Sequence, residues 1–183
     1  VLQQNFRLLK SISSNRYPDK LGAKDVWPPG EFAFVASRKF EKDSSPANGS
    51  SIAVMFGFED KLVLLTGDAH PGVVTNGVST DWPSDRPVVS LLKLSHHGSK
   101  ANPNEALLKA LECKRFLIRT NGENYQDPDV TMLASVLKIK ANPTFLFNYA
   151  LERTLWWSDV PEDWPPFVNL YAEPGAAFIQ IDI

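Results

Sequence analysis

Leu91-Leu92-Lys93-Leu94-Ser95-His96-His97-Gly98-Ser99 is the stretch that decides how this chain folds. It passes from apolar residues into two imidazoles and a glycine. Leu62-Val63-Leu64-Leu65, followed by Thr66-Gly67-Asp68-Ala69, has the same form with a carboxylate at its end. Short apolar runs bounded by turn residues read as buried strands. In layered α/β proteins ligands gather outside the carboxyl ends of strands, where the sheet holds side chains that remain exposed. Two such exits imply one crevice shared by Asp68 and His96. Carboxylates bind hard and borderline cations and neutral imidazole binds zinc, so the crevice has the chemistry of a metal site.

Outward from these strands, Ile52, Val54, Phe56 and Phe58 alternate ahead of Leu62 to Leu65, which predicts a hairpin turning through Gly57 to Lys61 and places Asp68 just past its second strand. Val88 to Leu94 is predicted as one strand. Asn102, Pro103 and Glu105 form a helix start whose buried face carries Leu107, Leu108 and Leu111. Phe116 to Ile118 is a further strand, Asp129 caps a helix with Met132, Leu133, Val136 and Leu137 on its apolar stripe, and Thr144 to Phe147 is a strand. This alternation predicts an α/β fold, since each helix needs a sheet face on which to bury its stripe.

The flanks are less regular. Leu2, Phe6, Leu9 and Ile12 predict a helix over residues 1 to 12; Tyr17 to Gly30 breaks it, Phe32 to Val35 reads as a short strand and Lys42 to Ser51 as an exposed loop. Trp156, Trp157 and Trp164 fall in a Pro-rich irregular region expected to cover a core edge, and Phe178 to Ile183 alternates like a closing strand.

With 183 residues, 43% of them hydrophobic and no repeat, the chain reads as a single domain or half-domain over residues 1 to 183. A formal charge of −2 gives no overall electrostatic footprint for nucleic acid, so such contact would need a local patch. Lys93, Lys100, Arg115 and Arg119 are candidates, against a plain reading as solvated surface. The single Cys113 cannot form an internal disulfide and favours a reducing, cytoplasmic setting. Lys114 and Arg115 beside it would lower its pKa, yet a packing role is the expectation. No apolar run approaches the roughly 18 to 20 residues that span a bilayer, and no signal-peptide pattern opens the chain. Its initial Val fits an internal fragment, a processed chain or part of a longer protein.

Each candidate has a structural alternative. Asp68 after Gly67 is also an ordinary turn or N-cap residue. Adjacent histidines point different ways, so His96 as a ligand leaves His97 a supporting role. Ser99 and the N–H groups around Gly98 can form an anion-binding nest or a simple loop. His70 either reaches the crevice or sits on the surface, and Asn121 to Pro128, after a third strand, either supplies polar groups or is a turn.

Together these residues resemble the metallo-β-lactamase fold hydrolases, especially the branch related to the hydrolase domain of ComEC-type bacterial competence proteins for DNA uptake. The resemblance covers roughly residues 31 to 138. Asn48-Gly49-Ser50-Ser51-Ile52-Ala53-Val54 is similar to that branch's strand entry, Leu64 to Ala69 to its metal-site Asp motif, His96-His97-Gly98-Ser99 to its His-His-Gly-Ser motif, and Asn124-Tyr125-Gln126-Asp127-Pro128 to an Asn-x-Tyr-x-His-Pro element. It implies the C-terminal half of a four-layer αββα sandwich, with Asp68 bridging two divalent metals, zinc first and manganese second, and His96, or alternatively His97, ligating one. It also implies Asp68 and His97 as catalytic residues, Ser99 and Asn124 as substrate-binding residues, and a phosphodiester or related ester, including nucleic acid, as substrate.

Two departures follow. The family's His-x-His-x-Asp-His motif is absent, His70, His96 and His97 being the chain's histidines, and Asp127 stands where the branch has His. The chain is then expected to be half of a longer hydrolase, to pair with another polypeptide carrying the N-terminal half, or to be a non-catalytic interaction module. In the last case Trp156, Trp157, Trp164, Phe167 and Tyr171 would offer a partner surface.

Overall fold

A computed structural model describes residues 26–38, 44–99, 105–122, 127–176 and 178–183. The expected helix over residues 1 to 12 and the cap at Asn102 lie outside them, as do Lys100 and Asn124.

The fold is α/β with a mostly parallel sheet. Strands β1 (Val54–Phe58) and β2 (Lys61–Leu65) form the predicted hairpin. Its tight turn is Glu59-Asp60, with Glu59 at φ 51°. From β2 onward, β4 (Leu91–Lys93), β6 (Arg115–Ile118), β7 (Thr144–Phe147) and β8 (Val168–Tyr171) add in chain order, each parallel to the last, giving a six-stranded sheet β1-β2-β4-β6-β7-β8. Two further short strands, β3 (Val88–Val89) and β5 (Glu112–Cys113), pair beside it.

A sheet that grows in one direction through right-handed crossovers keeps its connecting helices on one face. Helices α3 (Pro71–Asp81), α4 (Glu105–Ala110) and α5 (Val130–Ile139) share one core with that face: Val74, Val78, Leu107, Leu108 and Leu133 pack with Leu64, Leu92, Phe116, Ile118, Phe145 and Phe147. In α5 every residue from Val130 to Leu137 is buried, so it is a central helix and not the amphipathic one its stripe implied.

The opposite face is different. Val63, Leu91, Leu117 and Leu146 alternate onto it, and among the described residues the cluster they form takes in Ile179 and Ile181 and no helical residue. Around them Val54, Phe56, Phe58, Leu65, Val168 and Leu170 stay exposed. Among the described residues, the C-terminal segment is what crosses this apolar face.

Several local expectations are corrected. Phe32 to Val35 is not a strand but the start of helix α1 (Phe32–Ser37). Its first free N–H, on Phe32, donates to the Asp163 carboxylate at 2.6 Å, and Phe32 packs edge-on against Trp164. Both partners are remote in sequence, and a short apolar run without alternation carries no helix or strand preference of its own. The exposed loop expected over Lys42 to Ser51 holds, within its described residues 44 to 51, one helical turn, α2 (Pro46–Gly49).

Val88 to Leu94 breaks at Ser90, whose N–H donates to Leu62 O at 2.8 Å while its carbonyl accepts from Arg115 Nε at 3.0 Å, so β3 and β4 join different sheets. Phe178 to Ile183 makes no ladder pairing, and the closing strand is β8. Helix α3 was not anticipated: Pro71 suits its first turn, but Gly72, Val73, Val74, Thr75 and Gly77 are weak helix formers, and burial of Val74 and Val78 decides the matter.

The aromatic tail covers a core edge as expected. Trp157, in the 3₁₀ turn that follows the helical turn α6 (Glu152–Leu155), and Trp164 beyond it are 1% and 6% exposed, so these two rings are packing and not a free surface. No described helix is long and apolar enough to cross a membrane.

Candidate functional site

The β2 and β4 exits are stitched together. Thr66 is fully buried and its hydroxyl donates to Lys93 O at 2.8 Å. The His96 N–H donates to Gly67 O at 3.1 Å, and the Lys93 ammonium donates to Gly67 O at 3.0 Å and Leu94 O at 3.2 Å. Asp68 and the histidine pair therefore stand on one rim, as the sequence implied.

Gly67 has φ 55°, and a Cβ there would sit 2.6 Å from Ser51 Oγ and 2.9 Å from Ile52 O. This close approach lets Ser51 Oγ accept the Asp68 N–H at 2.9 Å. Asp68 is half-buried beside Lys93. Burial lowers the Lys93 pKa, the Asp68 carboxylate opposes that shift and Arg119 adds to it.

Residues 45 to 51 wrap the rim from outside. Asn48 Nδ2 approaches His96 Nδ1 at 3.4 Å, and His70 Nε2 donates to Ser45 O at 3.1 Å. His70 takes the N-cap position of α3, and its ring is tied to the segment that wraps the rim. Sequence reasoning quoted Asn48 and Ser51 in a motif but gave them no task; they hold the rim.

His96, His97 and Gly98 form a turn of left-handed backbone, with φ 46°, 57° and 89°. Left-handed backbone at two successive non-glycine residues is sterically unfavourable and persists where surroundings hold it. Here His97 Nδ1 donates to Arg119 O, Gly98 O accepts the Asp129 N–H at 3.0 Å, and the Ser99 N–H donates back to His96 O at 2.9 Å. The Ser99 amide is thus spent within the turn, which removes one donor from the anion nest its sequence implied. The histidine rings, with centroids 6.1 Å apart, are tied to opposite neighbours.

The basic candidates separate. Lys93 is turned onto backbone carbonyls, and Arg115 donates to Ser90 O and to Asp182 O at 2.6 Å under the C-terminal segment. Arg119 is exposed next to the site. Asp127, in the histidine position of the resembled motif, is 3% exposed, and Pro128 beside it packs on Gly98.

Among the described residues no group of three or more His, Cys, Asp or Glu is placed to hold a metal ion. A catalytic zinc takes about three protein ligands, so Asp68 with one imidazole does not make a site alone. Compared with protein-family models, with curated proteins and with solved structures, the chain gives no significant match.

Proposed function

We propose that this chain is the C-terminal half of a metal-dependent hydrolase with the four-layer αββα metallo-β-lactamase architecture. The observation that carries this reading is the single rim made by the Gly67–His96 bond, which sets a carboxylate and two imidazoles at adjacent strand exits. The second apolar face of the sheet supports the half-domain aspect: among the described residues only the C-terminal segment crosses it, and an apolar sheet face packs on a second layer about 10 Å away.

In this reading the other half, on the same or another polypeptide, contributes the remaining ligands for two zinc or manganese ions and covers Val54, Phe56 and Phe58. Asp68 and one imidazole are this chain's share, and His97, Ser99 and Asn124 face the substrate. A phosphodiester or related ester is the proposed substrate class. Nucleic acid rests on the motif resemblance, with Arg119 an exposed cation nearby among the described residues. A cytoplasmic setting is proposed from the lone, buried Cys113.

The test is the intact mass and metal-to-protein ratio of the purified natural assembly, then hydrolysis of a generic phosphodiester by it and by its Asp68→Asn form. About two metals and lost turnover in the variant support the reading; unchanged turnover removes Asp68 from it. A metal-free assembly that still binds a partner chain favours the interaction-module alternative.

A further inference from the structure

Residues 178 to 183 lie on the second face of the sheet without being held as a strand is held. Ile179 and Ile181 pack on Val63, Leu91, Leu117 and Leu146, while Phe178, Gln180, Asp182 and Ile183 are exposed. Among the described residues the segment makes no ladder pairing and no backbone–backbone hydrogen bond. What ties it to the sheet is Arg115 Nη1 of β6, which donates to Asp182 O at 2.6 Å. That tie carries a penalty: Arg115 Nη2 is buried and, among the described residues, meets no acceptor. A guanidinium N–H taken out of water without a partner opposes the contact that buries it. The preceding strand is held quite differently, since β8 pairs with β7 from Val168 to Tyr171 and the Ala172 N–H donates on to Phe147 O at 2.9 Å. Between the two runs stands an exposed turn in which the Ala176 N–H donates to Glu173 O at 2.9 Å. Its Gly175 has φ 83°, and a Cβ there would touch nothing. A left-handed glycine in open space can absorb a large change of chain direction.

We propose that residues 178 to 183 are a displaceable strap, which swings on the Gly175 turn between a closed state on Val63, Leu91 and Leu146 and an open state in which these side chains are bare. Val54, Phe56 and Phe58 on one flank and Val168 and Leu170 on the other are exposed already. Release of the strap joins the flanks into one continuous apolar patch, and a patch of that kind associates with another apolar surface. Two sheets packed about 10 Å apart interdigitate their side chains and leave no space for a segment between them. The closed strap therefore stands in for the second layer, and its release admits that layer. The identity of the incoming layer rests on the half-hydrolase reading above; the motion of the strap does not.

The test places a thiol under the strap, as Leu146→Cys in the 183-residue chain. Leu146 is buried with Ile179 and Ile181, whereas Cys113 is buried in the core beneath the helices, so one disulfide reagent reads both openings in the same molecule. The thiol at position 146 is expected to react about a hundredfold or more faster than Cys113, because strap release is a local opening and exposure of Cys113 requires the core to open. Equal rates overturn the proposal. A chain ending at Gly175 supplies a second measurement: it is expected to keep its cooperative denaturation and to bind severalfold more anilinonaphthalene sulfonate, a dye that reports exposed apolar surface. Unchanged dye binding overturns the strap, and so does loss of cooperative folding, which would make residues 178 to 183 an integral part of the core. Either failure leaves the half-hydrolase reading intact. If the shortened chain joins the second half less firmly than the intact chain does, the segment is a strand of the second layer and the proposed competition is overturned. A natural assembly without metal or second half overturns the hydrolase reading and leaves the strap standing on its two measurements.

Discussion

A Cβ on Gly98 would stand 2.8 Å from Pro128 Cβ, and Gly98 itself has φ 89°. The histidine turn is therefore seated directly on the chain that leads into α5. Gly98→Ala must strain the backbone and displace Pro128 together, so it is expected to cost more than about 1 kcal/mol in chemical denaturation. Gly77→Ala is the contrast: Gly77 lies inside α3 with open space around it. Alanine there should stabilise by roughly 0.5–1 kcal/mol.

Phe145 and Phe116 are both fully buried on the helix-covered face, with centroids 6.1 Å apart. Phe145→Ala is expected to destabilise by about 3–5 kcal/mol. On the other face Phe56 is 53% exposed. Phe56→Lys should change the isolated chain's stability by only about 0.5 kcal/mol, yet weaken assembly with the second half, measured as a loss of co-purification. Equal effects at the two positions would contradict the one-sided core.

Burial pushes the Tyr171 hydroxyl up to about 12, against a usual value of 10.0. The unfolded chain then ionises first as pH rises. Folding stability contributed by neutral Tyr171 is whole below pH 10 and is lost as pH climbs through about 12. Denaturation midpoints across that window should fall in the wild type and fall less in Tyr171→Phe, which gives up the bonds to Ser158 and Thr154 at neutral pH.

Burial also raises the Cys113 thiol, outweighing its cationic neighbours, and its Sγ donates to Arg115 O at 3.2 Å. A disulfide reagent should modify Cys113 only at the rate the protein opens. Rapid labelling of the folded chain would mean a reactive thiolate in place of a packing residue.

What the sequence disclosed follows the range of the forces involved. The hairpin, the strands at Phe116 and Thr144 and the α5 helix carry local periodicity, and Asp68 and His96 were placed because a strand exit is a local feature. Helix α1 depends on Asp163, β3 separates from β4 because Ser90 bonds to Leu62 and Arg115, and β8 takes the edge that alternation predicts for Phe178 to Ile183. Those choices are made by partners far along the chain. The neighbours of the two histidine rings, Asn48 for His96 and Arg119 for His97, are likewise distant, and spacing alone carries no trace of them.

The strand order β2-β4-β6-β7-β8 has a consequence for how the molecule comes into being. Each strand pairs with the one made just before it in the main sheet, so sheet growth never waits for an insertion between strands already in place. Assembly can keep pace with synthesis from the hairpin onward, closing one short loop at a time. Among the described residues, Ile179 and Ile181, which shield the middle of the apolar underside, come after every strand of that sheet.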